Sequence, residues 1–192
     1  MVLADKFYNF PPIVFSKKTS FPIKNRKQTL YKYNDPKLQR ILCVSKKTRE
    51  IAAEKIKDQN RLKTIYHGIS IKKQRQLSAK FKLRKELAIP EDVLIVGNIG
   101  NNIPAKDLTV FIETAEKILR QQKALKFHFV QVGQFTPDTS TFLKLLKTKK
   151  LESHISFLGF KENASTIIPQ LDFLLLISIF EGLPNVIYES FY

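Results

Sequence analysis

The chain has 192 residues, 43% hydrophobic and 26% charged, with 15 phenylalanines and a formal net charge of +16. That apolar supply fills a core and excludes wholesale disorder, and no apolar run approaches the ~18 residues that span a bilayer. A single cysteine, Cys43, excludes an internal disulfide or a cysteine-built metal cage and fits a reducing cytosol. His67, His128 and His154 stand far apart with no helical pairing, which argues against a histidine metal site.

The charge is lopsided. Residues 1–90 hold 23 Lys/Arg against 6 Asp/Glu, a net of +17, whereas residues 91–192 hold 10 against 11, a net of −1. A positive field of that size favours nucleic acid, an acidic membrane surface or a phosphorylated substrate.

In chain order, Phe10–Phe15 and Arg40–Ser45 read as strands of a first unit, and Lys17–Asp35 between them is basic, aromatic and without periodicity. Ser45 is placed to cap a helix from about Lys46 to Lys57, because its hydroxyl can accept from a free amide of the first turn. Leu62–Tyr66 follows as a short strand, His67-Gly68 as a turn, and Ser78–Leu87 as a helix that ends before Pro90.

The second half alternates regularly. Val93–Gly100, Lys126–Gly133 and His154–Gly159 are short apolar runs, each closed by glycine in the manner of buried parallel strands. Between them, Leu108, Phe111, Ile112, Ala115, Ile118 and Leu119 mark a helix over Lys106–Gln122, and a second helix runs from Thr136 to about Lys149. A short helix near Asn163–Ile168, a fourth strand over Asp172–Ser178 and a helix from Pro184 complete the pattern. The fold class expected is therefore α/β, a Rossmann-like parallel sheet with helices on both faces.

Parallel sheets of this kind take ligands beyond the carboxyl ends of their strands, where helix N-termini aim free N–H groups at anions. Gly100, Gly133 and Gly159 stand at those ends and let a backbone approach a ligand or turn tightly. Neither the Gly-x-Gly-x-x-Gly dinucleotide fingerprint nor the Gly-x4-Gly-Lys-Ser/Thr phosphate loop is present. After the fourth strand comes Phe180-Glu-Gly-Leu-Pro-Asn-Val-Ile-Tyr-Glu-Ser, with Glu181 and Glu189 eight residues apart. Two ionised carboxylates facing one crevice suit the hydroxyls of a sugar and a ribose, since each accepts several hydrogen bonds.

Glu181-Gly182-Leu183-Pro184-Asn185 followed by Glu189 resembles the Glu-x7-Glu motif of the family-four retaining glycosyltransferases, which have the glycosyltransferase-B fold. Val44-Ser45, Ile65–Ile69, Gly97–Asn101 through Lys106, Val132-Gly133, Phe157–Gly159 and Asp172–Ser178 resemble further segments of that family in its order. The resemblance covers roughly Ile41–Tyr192. It implies two Rossmann-like domains facing each other across a cleft: residues 1–70 as the remnant of an acceptor-side domain with its linker, and 71–192 as a donor-binding domain cut short at its C-terminus. On this resemblance the chain is the middle of a longer enzyme.

The resemblance also implies roles. Lys106 neutralises the donor diphosphate and Glu181 binds hydroxyls of the transferred sugar, the two together serving catalysis. Gly100 and Asn101 belong to the donor-phosphate loop, Gly182 to Asn185 surround the donor with backbone amides, Glu189 binds the ribose, and Gly159-Phe160 lies near the base. Asn101 stands where the family has arginine, which leaves Lys106 as the matching cation. The implied reaction moves a sugar from a nucleotide-sugar to a cell-surface glycan or lipid-linked acceptor with retention, and without an obligatory metal or other cofactor.

The basic segment 16–32 interleaves its cations with Phe21 and Tyr31, an arrangement that also suits nucleic acid, although no RNA-recognition signature accompanies it. Within the glycosyltransferase reading, those cations face anionic headgroups or a lipid-linked phosphate, at the cytoplasmic side of a membrane, and no nucleic acid is expected. The alternatives are a basic nucleic-acid-binding protein and a non-catalytic glycosyltransferase remnant. His128, between Phe127 and Phe129, reads as structural, and Cys43 as a small buried apolar residue.

Overall fold

The computed structural model describes residues 11–70, 72 and 81–191. The chain divides into two compact units: Met1–Gly68 with Phe180–Pro184, and Ile69–Ile179 with Asn185–Tyr192.

In the first unit, β1 (Ile13–Lys17), β2 (Leu38–Cys43) and β3 (Leu62–Thr64) form a parallel sheet in that order. β1 begins after Pro11 and Pro12, later than the pattern predicts, because proline has no N–H to offer a ladder. Helix α1 (Lys27–Asn34) lies within the segment that showed no periodicity. None of its residues is fully buried; only Leu30 and Tyr33 reach the core of Ile23, Leu38, Ile41, Cys43, Ala52, Ile56 and Leu62. Helix α2 (Lys46–Ala53) starts as predicted, with Ser45 Oγ accepting from Thr48 N at 3.1 Å. It stops short of Lys57. Residues 65–70 have no regular structure, so the His67-Gly68 turn is not formed.

The second unit is built on four parallel strands. β4 (Val93–Ile99), β5 (Lys126–Val132), β6 (Ile155–Phe157) and β7 (Phe173–Leu174) are ordered β6-β5-β4-β7. Helix α3 (Leu83–Glu86) is shorter than the predicted 78–87 helix, since Phe81, Lys82 and Leu87 are not helical; residues 78–80 lie outside the described ones. Helices α4 (Leu108–Gln121) and α5 (Thr139–Lys149) cover one face through Val96, Leu108, Phe111, Ile112, Ala115, Phe129, Phe142 and Leu146. The rings of Phe111 and Phe129 meet edge to face at 6.0 Å. The opposite face is covered by Leu83 and by Ile167 of a 3-10 turn (Ala164–Gln170), packed on Ile95, Val130 and Val132. Helices thus lie on both faces, as the alternating pattern required.

The predicted fourth strand is much shorter than 172–178. Leu175 N still donates to Gly97 O at 2.8 Å, but the Leu175 carbonyl accepts from the Asn98 side chain at 2.9 Å instead of a ladder amide. Beyond Leu174 the chain is therefore irregular. Its entry is tied by Asp172, whose Oδ2 accepts from Ile95 N at 2.7 Å and whose own N donates to Ile95 O at 2.9 Å, with Arg84 Nη2 3.4 Å away. Asp172→Ala leaves the Ile95 amide without that acceptor and should cost about 1–3 kcal/mol. A lowered urea midpoint for D172A, with a smaller drop for D172N, is the expected result.

Candidate functional site

The sheet order places a topological switch at β4. The chain leaves β4 toward β5 and β6 on one side and returns to β7 on the other. Ligands of open parallel sheets bind outside the carboxyl ends at such a point. There the loop after β4 and the loop after β7 are joined, because Ile179 N donates to Ala105 O at 2.9 Å.

The three strand-closing glycines meet in a row. Gly100 N donates to Val132 O at 2.8 Å, Gln131 Nε2 to Gly100 O at 2.6 Å, and Gly133 N to Gly159 O at 3.0 Å. At Gly133 a Cβ would overlap the Gly100 carbonyl, so only glycine allows these backbones to lie so close. Gly159 has φ +67°, the left-handed region, and faces the ring of Phe135.

Lys106 ends a 3-10 turn (Pro104–Lys106), and its stem lies over Gly100, with Cε 3.1 Å and Cδ 3.3 Å from where a Cβ would stand. Asp107 follows in the left-handed region and caps the fourteen-residue helix α4. The ammonium-bearing side chain thus belongs to the turn that leads into a helix N-terminus, a place that favours anions.

Asn101 is used differently from a phosphate-binding arginine: its Oδ1 accepts from Gln134 N at 3.1 Å, which braces the loops after β4 and β5. Behind it, buried Asn102 donates to Thr139 Oγ1 at 3.1 Å, Thr136 Oγ1 donates to Asn102 O, and Asn102 N donates to Gln134 O at 3.0 Å. Asn98 and Gln131, register partners on β4 and β5, are also buried. Sequence reasoning missed this scaffold; the signal was amide side chains inside otherwise apolar strands, where burial requires partners.

Phe160, after Gly159, is 71% exposed. Asn185 opens helix α6 (Asn185–Glu189) and Glu189 closes it. Glu181, Gly182, Leu183 and Pro184 group with the first unit. There Gly182 approaches the Lys18 carbonyl so closely that a Cβ would overlap it, and the Phe180 and Phe21 rings lie 4.7 Å apart. The structure therefore brings Gly100, Asn101, Lys106 and Gly159 together in one unit and Glu181–Pro184 in the other. A cavity of about 410 Å³ lined by Pro90, Val93, Phe127, His128 and His154 lies at the opposite, amino end of β4 and β5 and contains none of the predicted site residues. His128 shares a 2.9 Å hydrogen bond with Ser156 there, and burial lowers its pKa.

Residues 90–192, more than half of the chain, match the family described as Glycosyl transferases group 1. The chain belongs to this glycosyltransferase family. It is 28% identical over 126 residues to the O-antigen biosynthesis glycosyltransferase WclY of Escherichia coli, covering 66% of this chain and 33% of that one. It is 27% identical over 139 residues to the N-acetyl-alpha-D-glucosaminyl L-malate synthase of Bacillus anthracis, covering 71% and 35%. The chain spans about a third of the length of those relatives. Its fold is similar to that of Anabaena Alr3699/HepE, solved with UDP and glucose (TM-score 0.77, 17% identity, 98% of this chain and 52% of that one). WaaG, a glycosyltransferase of lipopolysaccharide biosynthesis, is also similar (TM-score 0.66, 18% identity, 82% and 43%). The fold is thus that of the glycosyltransferase-B enzymes.

Burial raises the pKa of the half-buried Glu189 carboxyl above its ordinary value. The native state then holds that proton more tightly than the unfolded chain, so its contribution to stability falls as pH rises from the ordinary glutamate value through the raised one. Glu189→Gln should raise the urea midpoint at neutral pH and leave it unchanged near about pH 3.5, where both states are protonated.

Proposed function

We propose that this chain carries the donor-binding machinery of a retaining glycosyltransferase, which moves a sugar from a nucleotide-sugar to a cell-surface glycan or lipid-linked acceptor. The observation that carries the reading is Lys106, packed over Gly100 at the switch point and followed at once by the N-terminus of helix α4. A diphosphate set against that turn meets an ammonium and the positive end of a helix dipole, which together stabilise the charge that develops as the bond to the anomeric carbon breaks. Glu181 accepts hydroxyls of the transferred sugar, the amides of Gly182, Leu183 and Asn185 surround the donor, Glu189 accepts the ribose hydroxyls, and Gly159-Phe160 lies beside the base. HepE was solved with UDP and glucose, and WclY is an O-antigen enzyme; both names support this class of donor and acceptor.

The first unit supplies the charge for an acceptor on an anionic surface. Lys18, Lys24, Arg26, Lys27 and Lys32 are exposed, as are Phe21 and Tyr31. We place the chain at the cytoplasmic face of a membrane on this basis. Among the described residues no helix is long and apolar enough to cross one.

Calorimetry with UDP, GDP and their sugars tests the donor site. Binding of one nucleotide is expected, and Lys106→Met should weaken it by about 10–150-fold, the equivalent of losing a charge-assisted contact of ~1.5–3 kcal/mol. Absence of heat with every nucleotide at millimolar concentration would sink the proposal. Sedimentation with vesicles tests the surface: phosphatidylglycerol vesicles should retain the chain at low salt and release it as salt rises, while phosphatidylcholine vesicles should not bind it.

A further inference from the structure

Lys17 closes β1 opposite Cys43 of β2 and is only 6% exposed, although the sequence counts it with the surface cations of 16–32. Lysine is seldom buried to this degree unless its ammonium is paired. Here the partners are backbone carbonyls: Nζ donates to Thr19 O at 2.9 Å and to Phe21 O at 2.7 Å. Desolvation lowers the Lys17 pKa, as expected for a charge held by neutral acceptors.

Those two bonds fix the shape of the loop after β1, and the loop's other side touches the segment that bears Glu181. The Lys18 carbonyl lies against Gly182, where a Cβ would overlap it and would also come within 3.0 Å of Val44. Phe21 lies on Phe180, with ring centroids 4.7 Å apart and planes at 39°. A buried ammonium is costly, and an apolar side chain would close β1 at less cost, but no apolar side chain could hold two carbonyls of an irregular loop.

We infer that Lys17 is a positioning residue. It clamps residues 18–21 into the seat that holds Glu181 and Gly182. This rests on the reading above, in which Glu181 contacts the transferred sugar while other residues hold the nucleotide. The seat should therefore matter to the sugar of the donor and not to the nucleotide.

The test compares the wild-type chain with Lys17→Met and Phe21→Ala, using amide hydrogen exchange and calorimetry with UDP and UDP-glucose, or GDP and GDP-mannose where GDP is the nucleotide bound. In K17M, exchange at residues 180–183 should quicken at least tenfold while β4 and β5 stay protected. The affinity for the nucleotide-sugar should fall to that of the bare nucleotide, whose own binding is unchanged. Phe21→Ala removes an exposed ring, so the fold survives, and it should give the same two changes to a smaller degree; it decides the matter if K17M does not fold. Unchanged exchange at 180–183 overturns the inference, as does an equal loss for nucleotide and nucleotide-sugar. A wild type that holds UDP-glucose no better than UDP overturns the sugar contact of Glu181 instead, and the exchange data still judge the clamp.

Discussion

The second unit depends on a place where no side chain fits. Gly133 and the carbonyl of Gly100 lie in direct backbone contact at the carboxyl ends of β5 and β4, and Gly133 in turn donates to Gly159. Three loops thereby leave the sheet at one level, held by main-chain bonds and by the amide of Gln131 on the Gly100 carbonyl. Behind them the buried Asn102 and Thr139, with the half-buried Thr136, complete a hydrogen-bonded frame that fixes loop position. Catalytic groups placed on such a frame keep their geometry without reorganising, a property that electrostatic catalysis rewards.

The charge asymmetry of the sequence takes on a different meaning in the structure. Most cations of the first unit are exposed, yet Lys17 is spent inside it, and Arg61 is turned onto the backbone carbonyls of Asp35 and Leu38. Basic residues here do two jobs: they create the field outside the molecule, and they satisfy carbonyls of the loop after β1 and of the turn that leads into β2.

How much was legible in the sequence follows from the range of the forces involved. Strands β4, β5 and β6 with helices α4 and α5 could be read directly, because each buries an apolar face long enough to show its period. The Ser45 cap was legible because it is a contact across three residues. Helix α1 was not, since eight residues without a buried side chain or a capping bond leave no pattern to find. The shortening of β7 was equally hidden: it is decided by the Asn98 side chain, 77 residues away in sequence. For the site, Gly100, Gly133 and Gly159 follow the carboxyl ends of their strands, as the apolar runs indicated, whereas the grouping of residues 180–184 with the first unit goes with the packing of Gly182 on Lys18 and of Phe180 on Phe21, which no local motif encodes.

That grouping also has a consequence for the covalent path. The first unit is discontinuous: the backbone passes between the units after Gly68, after Ile179 and again after Pro184. A scissor cut at residue 68 would therefore not separate two self-sufficient pieces. The shorter piece would lose the ring that covers Phe21, and the longer would carry Phe180 and Gly182 without the surfaces that shape them. Dissection, circular permutation or fusion of this chain has to respect three crossings, the last two of them only five residues apart.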